Sequence, residues 1–207
     1  MVESRDCPTG AVMFPASDHF PLGRAYGGLD ATPAPPSAFV ADVGRAVYKP
    51  FGGSGVDDDD GFRQVFCTVI DLDQCGDPNI SRTMHLFQQR VPKDYEVRLT
   101  VVDGQFFAAR IDGNSEAAQV DWRSDYEALA YQVVEIPDVI RSGVSALLDK
   151  LSLRFGALDF VVAPDGEWWF LECNPNGQWA WIEDETGMPI AAAIADALEG
   201  TSKRDSS

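Results

Sequence analysis

The second half of the chain carries the clearest pattern of apolar and polar positions. Residues 95–102 and 105–111 are rich in β-branched and aromatic side chains, and Asp103-Gly104 between them is a dipeptide typical of two-residue hairpin turns. Residues 137–153 instead place apolar side chains at helical spacing: Ile140, Val144, Leu147, Leu148 and Leu151. The pattern predicts a β-hairpin, an amphipathic helix and a last apolar helix over residues 188–198, ended by Gly200.

The elements predicted in the first half are shorter. A short helix ending at Val43 precedes a strand at 45–49, and a loop rich in Gly and Asp covers residues 51–61. Further strands are expected at 64–70, 84–91 and 118–122. Residues 1–36 show no sustained period, so we expect them to be poorly structured, like the polar tail at 201–207. Helices and antiparallel strands in this order predict an α+β fold.

Residues 155–179 form the most informative segment, FGALDFVVAPDGEWWFLECNPNGQW. Asp165-Gly166 separates two apolar runs and favours a two-residue type I′ turn, in which both central residues have φ > 0. With that turn, Asp159 lies directly opposite Glu172, and Asn174 lies on the same face because side chains alternate along a strand. Two facing carboxylates destabilise a sheet unless a cation lies between them. The segment therefore predicts either a Mg²⁺ site or an edge hairpin whose acidic side chains point into solvent.

Composition narrows the classes of partner. The chain has 207 residues, 45% hydrophobic content and a net charge of −17. This hydrophobic content is typical of a globular protein with one domain or two small lobes. The negative charge argues against nucleic acid, whose binding depends on basic surface. No transmembrane-length apolar run, secretory signal or CxxC pair occurs, so no membrane partner, a cytoplasmic location and reduced cysteines are expected.

Lys49 is the first candidate for phosphate binding. It ends a predicted strand directly before a Gly-rich loop, where its ammonium could contact phosphate oxygens; the alternative is an ordinary surface lysine. The acidic run at 57–60 lacks the ligand spacing of a calcium loop, so it is interpreted as a solvated loop.

Further charged residues lie on the predicted strands. Glu96 and Arg98 are two residues apart on one strand, Arg110 lies on the next strand, and Arg123 follows in the triplet DWR. Two interpretations stay open. The arginines either bind phosphates beside a carboxylate metal site, or form ordinary cross-strand ion pairs on an exposed sheet.

The order of the motifs resembles the ATP-grasp ligases. The motifs are VYKPF, FQQRVPKDYEVRLTVV, FFAAR and the hairpin LDFVV with FLECNPNGQW. The resemblance runs from about Ala38 to Leu198. Within this superfamily, NPNGQW and DWR make the chain most similar to the maturases that cyclise graspetides, ribosomally made peptides of the microviridin type.

The resemblance implies nucleotide contacts at matching positions. Lys49 matches the small-lobe lysine that contacts ATP phosphate. The interlobe hinge that receives adenine matches the segment containing Gln88, Gln89 and Val91. Glu96 matches an acidic position associated with nucleotide binding.

The resemblance also implies catalytic and metal-binding residues. Arg98 and Arg110 match arginines that steady the transferring phosphate and the acyl phosphate, and Arg123 belongs to the matching DWR triplet. The magnesium ligands match Asp159, Glu172 and Asn174.

The implied reaction uses ATP and Mg²⁺. ATP phosphorylates an Asp or Glu carboxylate of a precursor peptide, since a carboxylate is a poor electrophile, and a hydroxyl or amine of the same peptide attacks the acyl phosphate to give an ester or amide. The implied partner is a ribosomal precursor peptide with its leader and core, and a homodimer is left open. Two alternatives are an ATP-grasp ligase of small amino acids and a non-catalytic protein that binds only nucleotide or leader peptide.

The predicted domains are a small lobe at 37–92 and a large lobe with the metal hairpin at 93–200. Ligases of this kind normally carry an additional N-terminal α/β domain. Only about 48 residues precede Lys49, without a βαβ pattern, so we expect that domain to be missing or reduced.

Overall fold

The chain folds as two compact units. The computed structural model describes residues 11–12, 25–28, 36–49, 55–58, 61–81 and 85–200. The first unit contains the described residues up to Val91 together with Ser115–Tyr126, and the second contains Pro92–Asn114 and residues 127–200. The segment Ser115–Tyr126, which lies between two strands of the second unit in sequence, therefore packs with the first. The predicted tail at 201–207 and most of 1–36 lie outside the described residues.

The first unit contains a five-stranded antiparallel sheet, a two-stranded hairpin and two α-helices. Its elements are β1 (Ala11–Val12), β2 (Ala25–Gly28), α1 (Pro36–Val43), β3 (Ala46–Lys49), β4 (Gly55–Asp58), β5 (Gly61–Gln64), β6 (Thr68–Ile70), β7 (His85–Gln89) and α2 (Glu116–Val120). The sheet has the order β1-β2-β7-β3-β6, and β4 pairs with β5. Phe39 and Val40 of α1 pack on Ala46 and Phe87 to form the core of this unit.

Several predictions for this unit are confirmed, and others are wrong. The helix before Val43 and the strands at 45–49 and 84–91 correspond to α1, β3 and β7. The acidic segment expected to be a loop contributes to the hairpin β4–β5, and β2 forms a strand although AYGG lacks a strand-like pattern. The expected strand at 118–122 is replaced by α2, because the Ser115 side chain caps the helix by accepting a hydrogen bond from the Ala118 amide.

The second unit is an antiparallel sheet with helices on both faces. Its elements are β8 (Tyr95–Val102), β9 (Gln105–Gly113), β10 (Leu129–Val133), α3 (Asp138–Lys150), β11 (Phe155–Val162), β12 (Trp168–Asn174), α4 (Ala180–Thr186) and α5 (Ile190–Glu199). The strand order is β10-β9-β8-β11-β12. The hairpin β8–β9 and the helices α3 and α5 confirm the predicted elements, whereas β10 and α4 were not predicted.

Local chemistry accounts for the turn between β8 and β9. Val102 pairs with Gln105, so the loop consists of Asp103 and Gly104. Both residues have positive φ, 48° and 86°, as a type I′ turn requires. This turn fixes which residues of the two strands face each other.

The two faces of the second sheet differ in chemistry. On one face, Ile140, Val144 and Leu148 of α3 pack against the apolar side chains Val97, Leu99, Val101, Leu158, Phe160 and Val162. On the other face, α4 and α5 cover Val102, Phe107 and Ala109, at the end of the sheet nearest the β8–β9 turn. The rest of that second face carries the candidate site. None of the described helices combines the length and apolar character needed to cross a membrane.

Candidate functional site

Polar side chains are concentrated on the face of the second sheet that lies opposite α3. Among the described residues, five polar or charged residues are buried, and four of them lie on this face: Glu96, Arg98, Thr100 and Asp159. Glu172 and Asn174 of the neighbouring strand point to the same side. We call these six residues the polar face. Glu172 is exposed, whereas the charged side chains of Glu96, Arg98 and Asp159 are buried. Burying charge costs free energy unless it is paired, so sheet packing alone does not explain these three buried charges.

Arg98 and Asp159 form the centre of the polar face. They are Cα partners on β8 and β11, and Nε of Arg98 lies 3.2 Å from Oδ1 of Asp159. Their side chains are only 9% and 6% exposed. Cζ of Arg98 also lies 5.9 Å from the centroid of the Trp181 ring, within the range of a cation–π contact. Because Asp159 pairs with Glu172 on its other side, one row across three strands holds a guanidinium and two carboxylates.

The loop between β11 and β12, the strands that carry the candidate metal ligands, is longer than predicted. It contains Pro164, Asp165 and Gly166, because the Gly166 amide donates to the Ala163 carbonyl at 2.8 Å and the Ala163 amide donates to the Glu167 carbonyl at 2.9 Å. Pro164 occupies the first central position of a type I turn, which its fixed φ suits, and Gly166 follows with φ 87°. The expected two-residue type I′ turn is therefore wrong.

A β-bulge at Leu171 compensates for the longer loop. Phe160 pairs with Phe170, yet Asp159 pairs with Glu172, which leaves Leu171 as the extra residue. Without the bulge, Leu171 would lie opposite Asp159, and Glu172 would point to the side of the sheet that α3 covers. The predicted pairing of Asp159 with Glu172 is thus confirmed, although it results from a three-residue loop and a bulge rather than from a two-residue turn.

Asn174 ends β12 and begins a tight turn. Its Oδ1 accepts a hydrogen bond from the Asn176 amide at 3.1 Å, which fixes the direction of the side chain. Gly177 packs so closely on Ala157 that an added Cβ would lie 2.6 Å from the Ala157 Cβ. A carbonyl oxygen accepts two hydrogen bonds or ligands, so Oδ1 of Asn174 keeps capacity for a cation.

The oxygen atoms of Asp159, Glu172 and Asn174 form a donor set that fits Mg²⁺. Proteins usually hold Mg²⁺ by one or two carboxylates, together with water and substrate phosphates. No group of three or more His, Cys, Asp or Glu side chains suited to a metal occurs in the described part of the chain. Two carboxylates and one amide oxygen leave further positions of this octahedral ion to water or other ligands.

Glu96 lies one same-face position beyond Arg98. It is 8% exposed, and its carboxylate forms an ion pair with the ammonium of Lys93, three residues earlier. Lys93 was not among the predicted site residues. This pair places a further cation and a further carboxylate beside the central row.

Arg110 lies on the opposite face of the sheet from Arg98. The Cα partner of Arg98 on β9 is Ala109, so the next residue points to the side of α3. There the Nε of Arg110 donates to Oδ2 of Asp112 at 2.8 Å, and its Cζ lies 3.9 Å from the centroid of the Tyr95 ring. The structure does not bring Arg110 together with Arg98, and its contact with a transferring phosphate stays a prediction that this geometry does not support.

The candidates of the first unit lie on both faces of its sheet. Lys49 ends β3 and points to the same side as Gln88, because Gln88 pairs with Val47 and side chains alternate along β3. Gln89 points to the opposite side, which α1 covers. Val91 is the last residue of the first unit before the chain enters the second. Their nucleotide contacts stay predictions.

Arg123 is held by Asp121, a buried carboxylate that the sequence analysis did not assign to the site. Oδ1 of Asp121 accepts from the Arg123 amide at 3.1 Å and from Nη1 of Arg123 at 3.3 Å, while Oδ2 accepts from the Cys67 amide at 3.1 Å. Burial alone raises the pKa of Asp121. The hydrogen bond from Cys67 and the charge of Arg123 outweigh burial, so the pKa lies below its usual range.

The thiol of Cys67 responds to the charges around Asp121. Burial, followed by the negative charge of Asp121, raises the pKa of Cys67 to about 11. The positive charges of Lys49 and Arg123 act in the opposite direction. Both cations therefore lie close enough to Cys67 to influence its ionisation, which places two predicted site residues in one neighbourhood of the first unit.

Thr100 is another residue of the polar face that the sequence analysis missed. It is fully buried, and its Oγ1 has no hydrogen-bond partner among the described residues. The sequence could have indicated Thr100, because Glu96, Arg98 and Thr100 occupy alternate positions of the predicted strand and so must share a face. Asp121 also had a signal, since it opens the DWR triplet.

Comparison with solved structures identifies the fold. A Chryseobacterium gregarium RiPP-associated ATP-grasp ligase, in complex with ADP and a leader and core peptide, matches with a TM-score of 0.79 and 28% identity over 89% of this chain. The macrocyclase MdnC from Microcystis aeruginosa, bound with its precursor peptide MdnA, matches with a TM-score of 0.71 and 24% identity over 88% of this chain. The ligase PsnB, complexed with a precursor variant, Mg and ADP, matches with a TM-score of 0.67 and 22% identity over 89% of this chain.

This chain spans about half the length of these neighbours: 56% of the first two and 54% of PsnB. No protein-family model matches the chain, and a comparison with curated proteins gives no match either. The mixture of helices and antiparallel sheets agrees with the predicted α+β class. The chain therefore has the ATP-grasp fold, and its resemblance to the RiPP-associated ATP-grasp ligases, which the sequence motifs predicted, is confirmed.

Proposed function

We propose that the chain is an ATP-dependent ligase that activates Asp or Glu carboxylates of a ribosomal precursor peptide and joins them to a hydroxyl or amine of the same peptide. The observation that carries this proposal is the row of Arg98, Asp159 and Glu172 across three strands, with Asn174 beside it. A buried cation next to a carboxylate pair is what phosphoryl transfer with a bound metal requires. The ADP, Mg and precursor peptides in the neighbours' complexes support the same class of ligands.

Each residue of the polar face has a distinct task in this proposal. Asp159, Glu172 and Asn174 hold Mg²⁺, which when bound neutralises charge on the phosphates of ATP. Arg98 is kept in place by Asp159 and Trp181, so its guanidinium is already oriented toward the side where negative charge develops. Because both side chains of this pair are largely buried, little water screens the guanidinium, which strengthens its attraction for a transferring phosphate.

The proposed reaction balances in two steps. A peptide carboxylate oxygen attacks the γ-phosphorus of ATP, and the bond to the bridging oxygen breaks, so that ADP leaves with the electron pair. A hydroxyl or amine of the peptide then attacks the acyl carbon, loses its proton, and displaces phosphate. The peptide loses one water for each link formed, and one ATP becomes ADP and phosphate.

The experiment that tests this function uses the full chain with ATP, Mg²⁺ and a precursor peptide encoded beside its gene. Mass spectrometry is expected to show loss of water from the peptide, with one ADP released per loss. Glu172→Gln is expected to abolish both, whereas Glu167→Gln, a matched change at the exposed residue directly after the hairpin loop, is expected to leave them intact. Dehydration of free amino acids instead of the peptide would favour a small-amino-acid ligase. Nucleotide binding without ADP release under any condition would favour a non-catalytic binding protein.

A further inference from the structure

An apolar cavity lies beside the turn that follows Asn174. It has a volume of about 300 Å³, and its floor is the pair Val102 and Phe155 on the same face of the sheet as the polar face. The apolar walls come from the segment after β12 and from α5: Trp179, Ile194, Ala197 and Leu198. A volume at the lower end of the range for ligand pockets suits one large side chain better than a whole peptide segment.

The cavity and the polar face are continuous through one turn. Asn176 and Gly177 line the cavity, and the same turn fixes Asn174, because the Asn176 amide donates to its Oδ1 at 3.1 Å. Gly177 passes over Ala157, which lies in the row between the central carboxylate row and the cavity floor. A substrate bound at Asp159, Glu172 and Asn174 therefore lies next to the turn that lines the cavity.

The charge at the cavity rim is already compensated. Arg154 is the cation of the lining, and it donates through Nε and Nη2 to both carboxylate oxygens of Asp103 at 3.0 and 3.1 Å, and through Nη2 to the Ala197 carbonyl at 2.8 Å. A guanidinium held in this way gives little selectivity for an acidic ligand. The cavity therefore favours an apolar group.

We infer that this cavity takes an apolar side chain of the peptide substrate, from a residue two to four positions away from the reacting carboxylate. The distance follows from strand geometry. Successive same-face rows of a strand are about 7 Å apart, and the cavity floor lies one row beyond Ala157–Asn174 and two rows beyond Asp159–Glu172. An extended peptide places its side chains i, i+2 and i+4 at the same spacing of about 7 Å. This inference rests on the proposed function and adds a specificity pocket to it.

The cavity itself is tested without any nucleotide. N-acetyl-leucinamide is titrated into the full chain while the indole N–H signal of Trp179, assigned with Trp179→Phe, is followed by NMR. Saturable shifts are expected with the leucinamide and not with N-acetyl-asparaginamide. Leu198→Asp is expected to weaken binding at least tenfold, whereas Leu151→Asp, the same change at another exposed leucine, is expected to have no effect. Equal responses to both amides, or none, would overturn the inference.

The peptide assignment is tested on protein loaded with Mg²⁺ and AMP-PNP. The probes are acetyl-Glu-Ala-Leu-amide and acetyl-Glu-Ala-Ala-Ala-Leu-amide, each compared with the peptide that carries Asn in place of Leu. At least one leucine peptide is expected to bind tenfold more tightly than its counterpart, and Leu198→Asp is expected to remove this difference. No preference for leucine would overturn the assignment to substrate. Failure of AMP-PNP to bind, with leucinamide binding intact, would instead refute the proposed function and with it the peptide occupant.

Discussion

Replacement of Arg98 by methionine tests whether the polar face is a charged cluster held together by one cation. The guanidinium is 9% exposed and faces Asp159, itself 6% exposed, at 3.2 Å. Breaking a buried ion pair by removing one partner costs about 3–5 kcal/mol, because the remaining charge is buried without compensation. The loss of unfolding free energy is expected to lie within this range. Glu172 then faces Asp159 without a neighbouring arginine, and the cation–π contact with Trp181 disappears.

Urea unfolding followed by tryptophan fluorescence measures this change. Four of the five tryptophans lie in the second unit, so the signal reports mainly on that unit: Trp168, Trp169, Trp179 and Trp181. With EDTA present, Arg98→Met is expected to lower the free energy of unfolding by about 3–5 kcal/mol. Arg141→Met is the matched control, since Arg141 is exposed and its Cζ lies 4.5 Å from the centroid of the Phe106 ring, so that it too has an aromatic contact; its cost is expected to stay below about 1 kcal/mol.

Magnesium gives the same experiment a second arm. Once Arg98 is gone, the carboxylates of Asp159 and Glu172 are expected to gain more from a bound cation than they do in the unchanged protein. At a Mg²⁺ concentration one hundred times the Kd of the Arg98→Met variant, the free energy of unfolding of that variant is expected to rise by about 2.7 kcal/mol. The unchanged protein is expected to gain less at the same Mg²⁺ concentration. A cost below about 1 kcal/mol for Arg98→Met, or no larger response to Mg²⁺ than in the unchanged protein, would refute the reasoning.

The remaining predictions concern Cys67, Asp121 and Gly177. Because the pKa of Cys67 is raised to about 11, iodoacetamide should label it roughly a hundredfold more slowly than an ordinary thiol at pH 8, and Asp121→Asn should speed labelling, as followed by mass spectrometry. The lowered pKa of Asp121 contributes stability above the usual Asp pKa, and this contribution is lost as pH falls through the folded-state value. Asp121→Asn should therefore flatten the acid limb of the unfolding free energy, and an unchanged limb would contradict this. Gly177→Ala should lower the free energy of unfolding by about 1–3 kcal/mol and weaken Mg²⁺-dependent nucleotide binding, because the new Cβ meets Ala157. Gly76→Ala is the control, since its new Cβ lies in open space and should change neither property. If the two variants had equal effects on thermal unfolding and on binding, the close approach of Gly177 to Ala157 would be contradicted.

The hairpin β11–β12 shows which features could be predicted from the sequence and which could not. The partnership of Asp159 and Glu172 was predictable from two apolar runs and a turn signal. The three-residue loop was not, because Pro164 favours a type I turn while Asp165-Gly166 favours a type I′ turn, and local chemistry alone does not decide between them. The bulge at Leu171 was also hidden, since it depends on packing across the sheet rather than on a local residue preference.

Elements that depend on neighbouring residues were easier to predict than contacts between residues far apart in the sequence. The turn at Asp103-Gly104 is local, so β8 and β9 were predicted with nearly correct bounds. Its register would also have placed Arg110 on the face opposite Arg98, had strand alternation been followed across the turn. The helix α2 replaced an expected strand because the cap at Ser115 outweighed the apolar residues that follow. The hydrogen bonds that tie Asp121 to Cys67 join residues 54 positions apart, and no sequence pattern indicates them.

Mg²⁺-dependent binding of AMP-PNP, measured by isothermal titration calorimetry, tests the central claim most directly. The unchanged protein is expected to bind the nucleotide with Mg²⁺ and much more weakly with EDTA. The double change Glu172→Gln and Asn174→Ala is expected to lower the affinity with Mg²⁺ at least tenfold, while Glu167→Gln, at the exposed residue directly after the loop of the same hairpin, leaves it intact. Unchanged affinity in the double variant, with the fold preserved by circular dichroism, would contradict the assignment of the polar face as the magnesium and nucleotide site.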